Sequence, residues 1–575
     1  MIKKIEIPDY IRKGITSNDI GFPHRLKFWG ADFETYDGKP YSFQVCGDDL
    51  TPRIFFVNEN NVLDTFLDYF EDKILEKQVN ICYFHNLNFD MAVLLYKFHR
   101  EFLGKSKVEI NYKGVHIEAV MGGVCFLKVK YPDGSVLNVY DTFAFIKTSL
   151  KRVAEILNFP VKKNPTPKGL GEKKLKSKEF YEYAKKDALM MYYFGKWIID
   201  QHREYNLKIC LSISQFSARV FRHYYMRSYD YIPFPPDEVI EPAILSYHGG
   251  KNGFYYDTPV DIKNCIEIDI NSAYPYAMTK IPNFNSGGDY IKVSKFTDKY
   301  EGIYKITGEV FKDKYPIIFT HDFKPVVGKV KDLWITSYEL RSALKFKEVK
   351  VSKLSGFVYK ENKNCSRNPL KNFVLDFWKK KDEEKNPEKK LLYKLILNSL
   401  YGKFIQTVKQ DGEDDYVLND RGIEVIEHKY LAGGLFNPFI ATLITGFTRS
   451  YLHELEHKYK AVHSSTDSIK TLCQVKNLPE GLGGLKKEVE GRCIILRNKL
   501  YLHYNKKGEL KKYALHGFTG DVNTLLKIID TKNPDYSFKK ILKVREALRQ
   551  ELEPLKMLDL EKTLNVDVSK IKKIS

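Results

Sequence analysis

A chain of 575 residues exceeds what a single hydrophobic core organises, since cores stop growing at roughly 250–300 residues, so two or more domains are expected. Hydrophobic residues at 43% and aromatic residues at 14% exclude wholesale disorder. The 93 Lys and Arg against 73 Asp and Glu leave a formal charge of +20; this favours a polyanionic partner, because each neutralised phosphate releases a condensed counterion.

The eight cysteines, Cys46, Cys82, Cys125, Cys210, Cys265, Cys365, Cys473 and Cys493, include no C-x-x-C pair, so neither a zinc site built on such a pair nor a disulfide framework is expected. The first residues lack the apolar run of a signal peptide. The most apolar stretch, Leu435 to Phe447, contains Asn437 and Pro438 and is too short to span a bilayer. A soluble, intracellular protein without a membrane partner is expected.

In chain order, Leu26 to Phe33 and Val79 to Phe84 read as strands and Phe180 to Ile199 as a helix, an α/β alternation over the first ~205 residues. Val161 to Lys178, with Pro165, Pro167, Gly169 and Gly171, reads as a solvated basic loop. Ile266 to Ile270 is a short apolar strand. Leu370 to Phe404 reads as two helices broken near Asn386-Pro387, and Ala461 to Cys473 as strand, turn, strand. Phe538 to Leu552 has helical spacing and many basic residues.

Three acidic segments stand out in the first region. Asp32 and Glu34 flank Phe33 at the end of a strand, where residues i and i+2 face one way, so the carboxylates converge and Phe33 points into the core. Two acids on one face repel unless a cation lies between them. Tyr83 to Asp90 is an apolar strand that ends in a polar turn bearing a third acid, and Tyr183 and Asp187 share a helix face at i and i+4. Each alone is ordinary: a surface strand edge, a helix cap, a core tyrosine with a solvated acid. Together they suit phosphodiester hydrolysis by two metals, with Tyr183 orienting the attacking water.

A second set follows. Asp269 ends an apolar strand, and the turn after it, Asn271-Ser272-Ala273-Tyr274-Pro275, exposes N–H groups suited to phosphate. Lys394, Asn398 and Tyr401 lie on one helix face at i, i+4 and i+7, while Leu395, Ile396, Leu397 and Leu400 face the core; Lys390 is one turn upstream. A Lys, an amide and a phenol in a stripe suit a nucleoside triphosphate. Ser464 to Ser468 reads as a tight turn projecting Asp467, so Asp269 and Asp467 can share two Mg²⁺ ions. Tyr247-His248-Gly249-Gly250 allows close backbone approach. Thr445 and Arg449 share a helical stretch. Lys499 and Tyr501 read as strand residues on one face.

These residues, in this order, resemble the family B DNA polymerases, and within them the compact protein-primed branch of small phages. The segments around Asp32-Glu34, Asn86-Asp90 and Tyr183-Asp187 resemble its three exonuclease motifs; those around Asp269-Tyr274, Lys394-Tyr401 and Ser465-Asp467 resemble polymerase motifs A, B and C; Tyr247-Gly250 and Lys499-Tyr501 resemble its YxGG and KxY motifs. The resemblance covers nearly the whole chain. It implies an α/β and α+β multidomain fold: a ribonuclease-H-like 3′→5′ exonuclease domain (1–207), then a right-hand polymerase with palm (208–280 and 436–520), a terminal-protein-binding insertion (281–370), fingers (371–404), a strand-displacement insertion (405–435) and thumb (521–575). It also implies roles. Asp32, Glu34, Asp90 and Asp187 bind the exonuclease metals; Asp269 and Asp467 bind the polymerase metals. Each site takes two Mg²⁺, for which Mn²⁺ substitutes. Tyr274 is the steric gate, and Lys390, Lys394, Asn398 and Tyr401 contact the dNTP. Thr35, Asn86, Phe89, Thr142 and Phe143 hold the frayed primer. Tyr247, Gly249, Gly250, Arg449, Lys499 and Tyr501 contact DNA. The implied partners are primer-template and single-stranded DNA, dNTPs and a terminal protein, acting on a monomer in the cytoplasm of an infected host cell.

Two positions depart from the family pattern. Ser465 stands where motif C usually has its first Asp, after His463 in place of an aromatic; losing a peripheral carboxylate costs about 10–100-fold in activity or metal affinity. Thr448 stands where the branch has a small residue. The competing readings are a nuclease with a DNA-binding C-terminal half, a degenerate polymerase serving as a binding or priming protein, and an RNA-synthesising enzyme, against which the bulk of Tyr274 argues.

Overall fold

The computed structural model describes residues 4–16, 21–102, 105–122, 124–162, 177–226, 230–410, 415–419, 422–427, 429–542, 544–550 and 552–575. The basic loop expected at 161–178 lies mostly outside them, as do short parts of 405–435.

The N-terminal region is built on a mixed eight-stranded sheet. Leu26–Tyr36 lies at its centre, parallel to Val79–Phe84, which is parallel in turn to Val136–Asp141. The Asp37-Gly38 turn, both residues at positive φ, makes a tight hairpin with Lys39–Cys46. Alternation then divides the central strand between two cores. Trp29, Ala31 and Phe33 pack under the Val62–Glu71 helix, while Phe28 packs on the opposite face with the Lys178–Glu204 helix. That long helix starts at Ser177, whose side chain accepts from the Phe180 N–H. It comes unusually close to the sheet. A Cβ on Gly30 would lie 2.0 Å from the Tyr192 nitrogen, and one on Gly195 would lie 2.6 Å from the Tyr83 ring. Two missing side chains thus set the height of the helix above the strand that carries Asp32 and Glu34.

The C-terminal half is organised by a second sheet, in the order Asn252–Phe254, His463–Ser465, Ser468–Thr471, Val260–Ile270, Leu485–Arg497, Leu500–Tyr504 and Leu510–Leu515. The Pro438–Tyr459 helix is buried along most of its length. Between the strand bearing Asp269 and the turn bearing Asp467 in the chain, a four-stranded sheet spanning Asp289 to Lys360, with the Ser337–Lys345 helix, folds around its own core of Tyr304, Ile306, Ile318, Ile335 and Leu340. Two helices, Pro369–Glu383 and Pro387–Ser399, follow as the sequence predicts. Asn386 separates them, its carboxamide accepting from the Glu388 and Lys389 N–H groups, and Pro387 opens the second. Thr407–Lys409 and Lys429–Ala432 form a small sheet with Lys4–Glu6.

Two expectations are corrected. Phe538 to Leu552 is not one helix: Asp535–Ile541 is a strand paired with Met557–Thr563, and only Val544–Arg549 is helical. The side chains from Asp535 to Ile541 alternate between exposed and half-buried, a period of two that the basic residues obscure. Residues 521–575 are also not a single unit, because Lys572–Ile574 pairs with Val260–Ile262 in the sheet that carries Asp269. None of the eight cysteines is bonded to another, and among the described residues no helix is long and apolar enough to cross a membrane.

Candidate active sites

The first site forms at the end of the Leu26–Tyr36 strand, beneath the long helix. Carboxylate oxygens of Asp32, Glu34 and Asp187 lie within 4.8 Å of one another. Phe33 turns away, stacked on Phe43 and Phe84, as i, i+2 geometry requires. Asp90 is buried beside this cluster. Its Oδ1 accepts from the Phe33 N–H at 3.1 Å, and burial, then the Asp32 charge, raise its carboxyl well above the usual range. Tyr183 is buried one helical turn before Asp187. An all-oxygen set of acids this close is chemically fitted to a hard divalent cation, which would relieve their repulsion.

The second site sits where two neighbouring strands meet. Asp269 pairs with Ser468, and the Ile270 N–H donates to the Asp467 carbonyl at 2.8 Å. Asp467 projects from a tight turn in which Thr466 takes φ +59° and donates its N–H to the Lys251 carbonyl at 2.7 Å. Burial, then the Asp467 charge, push the Asp269 carboxyl up to about 7; burial also raises that of Asp467. The pair therefore fits a divalent cation too. Beside it Tyr274 and Tyr401 stack at 3.9 Å and 7°. Gly250 leaves room for both Thr466 and the Tyr274 hydroxyl, 2.5 Å and 2.9 Å from where its Cβ would lie.

Residues 168–436 match the family model described as DNA polymerase type B, organellar and viral. That segment, just under half of the chain, is similar to the organellar and viral type B DNA polymerases. A DNA polymerase of Acidianus bottle-shaped virus is 24% identical over 333 residues, 53% of this chain but only 45% of that relative, so the chain spans less than half of it. The DNA polymerase of Streptococcus phage Cp-1 is 23% identical over 466 residues, 73% of this chain and 77% of that one. Among solved structures, Phi29 DNA polymerase complexed with primer-template DNA and incoming nucleotide substrates aligns over 94% of this chain and 99% of that one with a TM-score of 0.66 at 18% identity. This is a likeness of fold, multidomain and mixed α/β.

The chain places its other expected site residues unevenly. Lys390 and Lys394 are exposed on their helix, while Ile396, Leu397 and Leu400 are buried. Asn398 is half-buried and returns its side-chain N–H to the Lys394 carbonyl at 2.9 Å. Thr35, Phe89 and Phe143 are half-buried and Asn86 is exposed. Tyr247 and Gly250 are half-buried and Gly249 is exposed, all available at the surface.

Three expected contacts are corrected. Arg449 is wholly buried: it donates to Glu339 at 2.7 Å and to the carbonyls of His248 and Gly249. It braces the Tyr247–Gly250 loop from behind rather than reaching DNA. Thr142 is also wholly buried, its hydroxyl donating to the Phe84 carbonyl, so it ties two strand ends together. Lys499 is not a strand residue. With Asn498 it forms the turn between Leu485–Arg497 and Leu500–Tyr504, at φ +56°, so strand alternation does not align it with Tyr501. Tyr501 instead lies 4.1 Å from the Lys470 ammonium.

Sequence reasoning missed four residues. Gln44, fully buried, donates to Asp32 Oδ2 at 3.0 Å and is itself held by Ser42. The Asp37-Gly38 hairpin alone would set Phe43 opposite Asp32; a register shift between Glu34 and Thr35 moves the partner strand by one residue and brings Gln44 there. Glu267 lies two residues before Asp269, buried against Lys470, Lys512 and His503. Burial would push its carboxyl up, yet His503 and the two lysines hold it far below the usual range. Lys512 is also close enough to lower both Asp269 and Asp467. Lys381, on the first of the paired helices, lies 3.4 Å over the Trp378 ring. Its ammonium is pulled down to about 8 by burial, with Lys394 and Lys390 adding repulsion against the opposing charge of Asp382.

Proposed function

We propose that this chain copies DNA from a primed template with dNTPs and removes mispaired primer ends at a separate 3′→5′ exonuclease site. The observation that carries the reading is the pairing of two independent acidic pockets, one of them flanked by stacked tyrosines and a basic helix. Asp269 and Asp467 would hold two Mg²⁺ at the synthetic site, and Asp32, Glu34, Asp90 and Asp187 two at the other, Mn²⁺ substituting. When bound, such ions lower the pKa of an attacking hydroxyl or water and stabilise charge on the leaving group. Lys390, Lys394 and Lys381 draw in the triphosphate. Tyr401 and Asn398 flank the nucleotide, and Tyr274 excludes a 2′-hydroxyl. Tyr183 orients water at the exonuclease site, and Thr35, Asn86, Phe89 and Phe143 receive an end frayed by a few kcal/mol of lost pairing. Tyr247, Gly249 and Gly250 follow the primer-template.

The likeness to phage polymerases supports protein priming and strand displacement by a monomer in the cytoplasm of an infected host cell, with residues 281–370 facing a terminal protein. Extension of a primed circular template with Mg²⁺ tests the reading: products longer than one circle are expected, with dNTPs used far better than rNTPs. Ser465 favours a second reading, a DNA-binding or priming protein without synthesis; no extension with either Mg²⁺ or Mn²⁺ would decide for it.

A further inference from the structure

One group of side chains outside both pockets has the composition of a metal centre. His453 and His457 lie one turn apart on the Pro438–Tyr459 helix and share a face. Glu348 immediately precedes the Val349–Lys360 strand and Asp313 follows the Gly302–Val310 strand, both in the insertion sheet. One nitrogen or carboxylate oxygen from each of the four lies within 4.8 Å of the others. We propose that Asp313, Glu348, His453 and His457 bind a divalent transition cation of the zinc type, which clasps the insertion sheet to the long helix.

The hydrogen-bonding geometry asks for a cation. His453 Nε2 lies 2.7 Å from Glu348 Oε1 and 3.0 Å from His457 Nε2, and His457 Nε2 lies 3.4 Å from Asp313 Oδ1. Two imidazole nitrogens facing each other share at most one hydrogen. Glu348, only 3% exposed, keeps its Oε1 buried without a hydrogen bond despite these neighbours. Each ligand is meanwhile oriented from outside. Ser342 Oγ bonds His453 Nδ1 at 2.7 Å, which leaves Nε2 to face the cluster, as outer partners of metal-binding histidines do. Glu348 Oε2 accepts from the Ile317 N–H at 3.3 Å, and Asp313 accepts from the Tyr315 N–H at 2.7 Å. Phe346 stacks on His457 at 3.8 Å. Two neutral imidazoles and two carboxylates balance a dication, and a mixed nitrogen–oxygen set suits zinc better than magnesium, which prefers oxygen alone. The buried Cys265, Cys493 and His503 group offers no such vacancy, since both His503 nitrogens already contact Glu267 and the Cys265 carbonyl.

The test uses chelator-treated full-length protein dialysed against zinc in a large excess of Mg²⁺, so that the all-oxygen pockets are not counted. One zinc per chain is expected by atomic emission. It should be lost in His457→Gln and Asp313→Asn, both at partly exposed positions, and kept when Asp32 and Asp269 are both replaced by Ala. Cobalt added to the unmodified protein should give the visible absorption of tetrahedral coordination, a readout that needs no variant to fold. Zinc well below one equivalent in the unmodified protein, or a full equivalent retained by both single variants, overturns the proposal.

Discussion

The two acidic pockets solve the same problem with different surroundings. At the first pocket, three carboxylates from one strand and one helix crowd within 4.8 Å, and a buried amide, Gln44, donates to one of them. At the second pocket, Asp269 and Asp467 project, with a buried anion, Glu267, and its lysines packed behind them. The first pocket relies on ligand number. The second fixes the local charge with residues that never need to touch substrate.

Replacing a ligand should break the comparison most sharply. Asp269→Asn is expected to lower primer extension by about 10³-fold or more, because several kcal/mol of charge stabilisation disappear, while trimming of a frayed primer stays within about twofold; Asp32→Asn should do the reverse. Matched extension and degradation assays check both, and loss of both activities from either change would mean that the pockets are not independent.

The charge behind the Asp269 pocket comes next. Lys470→Met removes one partner of a pair in which both side chains are essentially fully buried, at a cost of about 3 kcal/mol. Urea denaturation followed by tryptophan fluorescence measures it; no loss would mean that Lys512 and His503 suffice. The exonuclease counterpart is steric. Gly30→Ala drives a methyl into the Tyr192 backbone, so about 2 kcal/mol of overpacking strain should appear together with a selective loss of trimming.

Two smaller effects sharpen the contrast. Ser465→Asp restores a third carboxylate beside Asp467 and should raise extension about tenfold, measured at limiting Mg²⁺. Asp269, pushed up to about 7, holds a proton below that pH and must release it to bind a cation. Raising the pH from about 6 to 8 should therefore lower the Mg²⁺ concentration for half-maximal extension several-fold; a flat dependence would contradict the burial argument.

Much of this was legible in the sequence, and the reasons are local. Phe33 pointing away from Asp32 and Glu34 follows from strand alternation, and the break at Asn386-Pro387 follows from capping. The Asp467 turn follows from the run of small polar residues between apolar ones. What escaped depends on contacts between distant segments. Arg449 reads as a surface cation until Glu339, on a helix far away in sequence, buries it. Lys512 and Glu267 look like solvated charges until three strands bring them together. Lys499 shows a different limit: a two-residue turn interrupts an alternation that the letters alone continue.

The insertion sheet between the strand of Asp269 and the turn of Asp467 has its own hydrophobic centre, and this bears on assembly. Joining two distant segments costs entropy that grows with the length of loose chain between them. An insertion that condenses early shortens that loose chain and brings its ends together. On this view, its interior mutations should slow acquisition of synthetic competence during refolding more than they impair the finished enzyme.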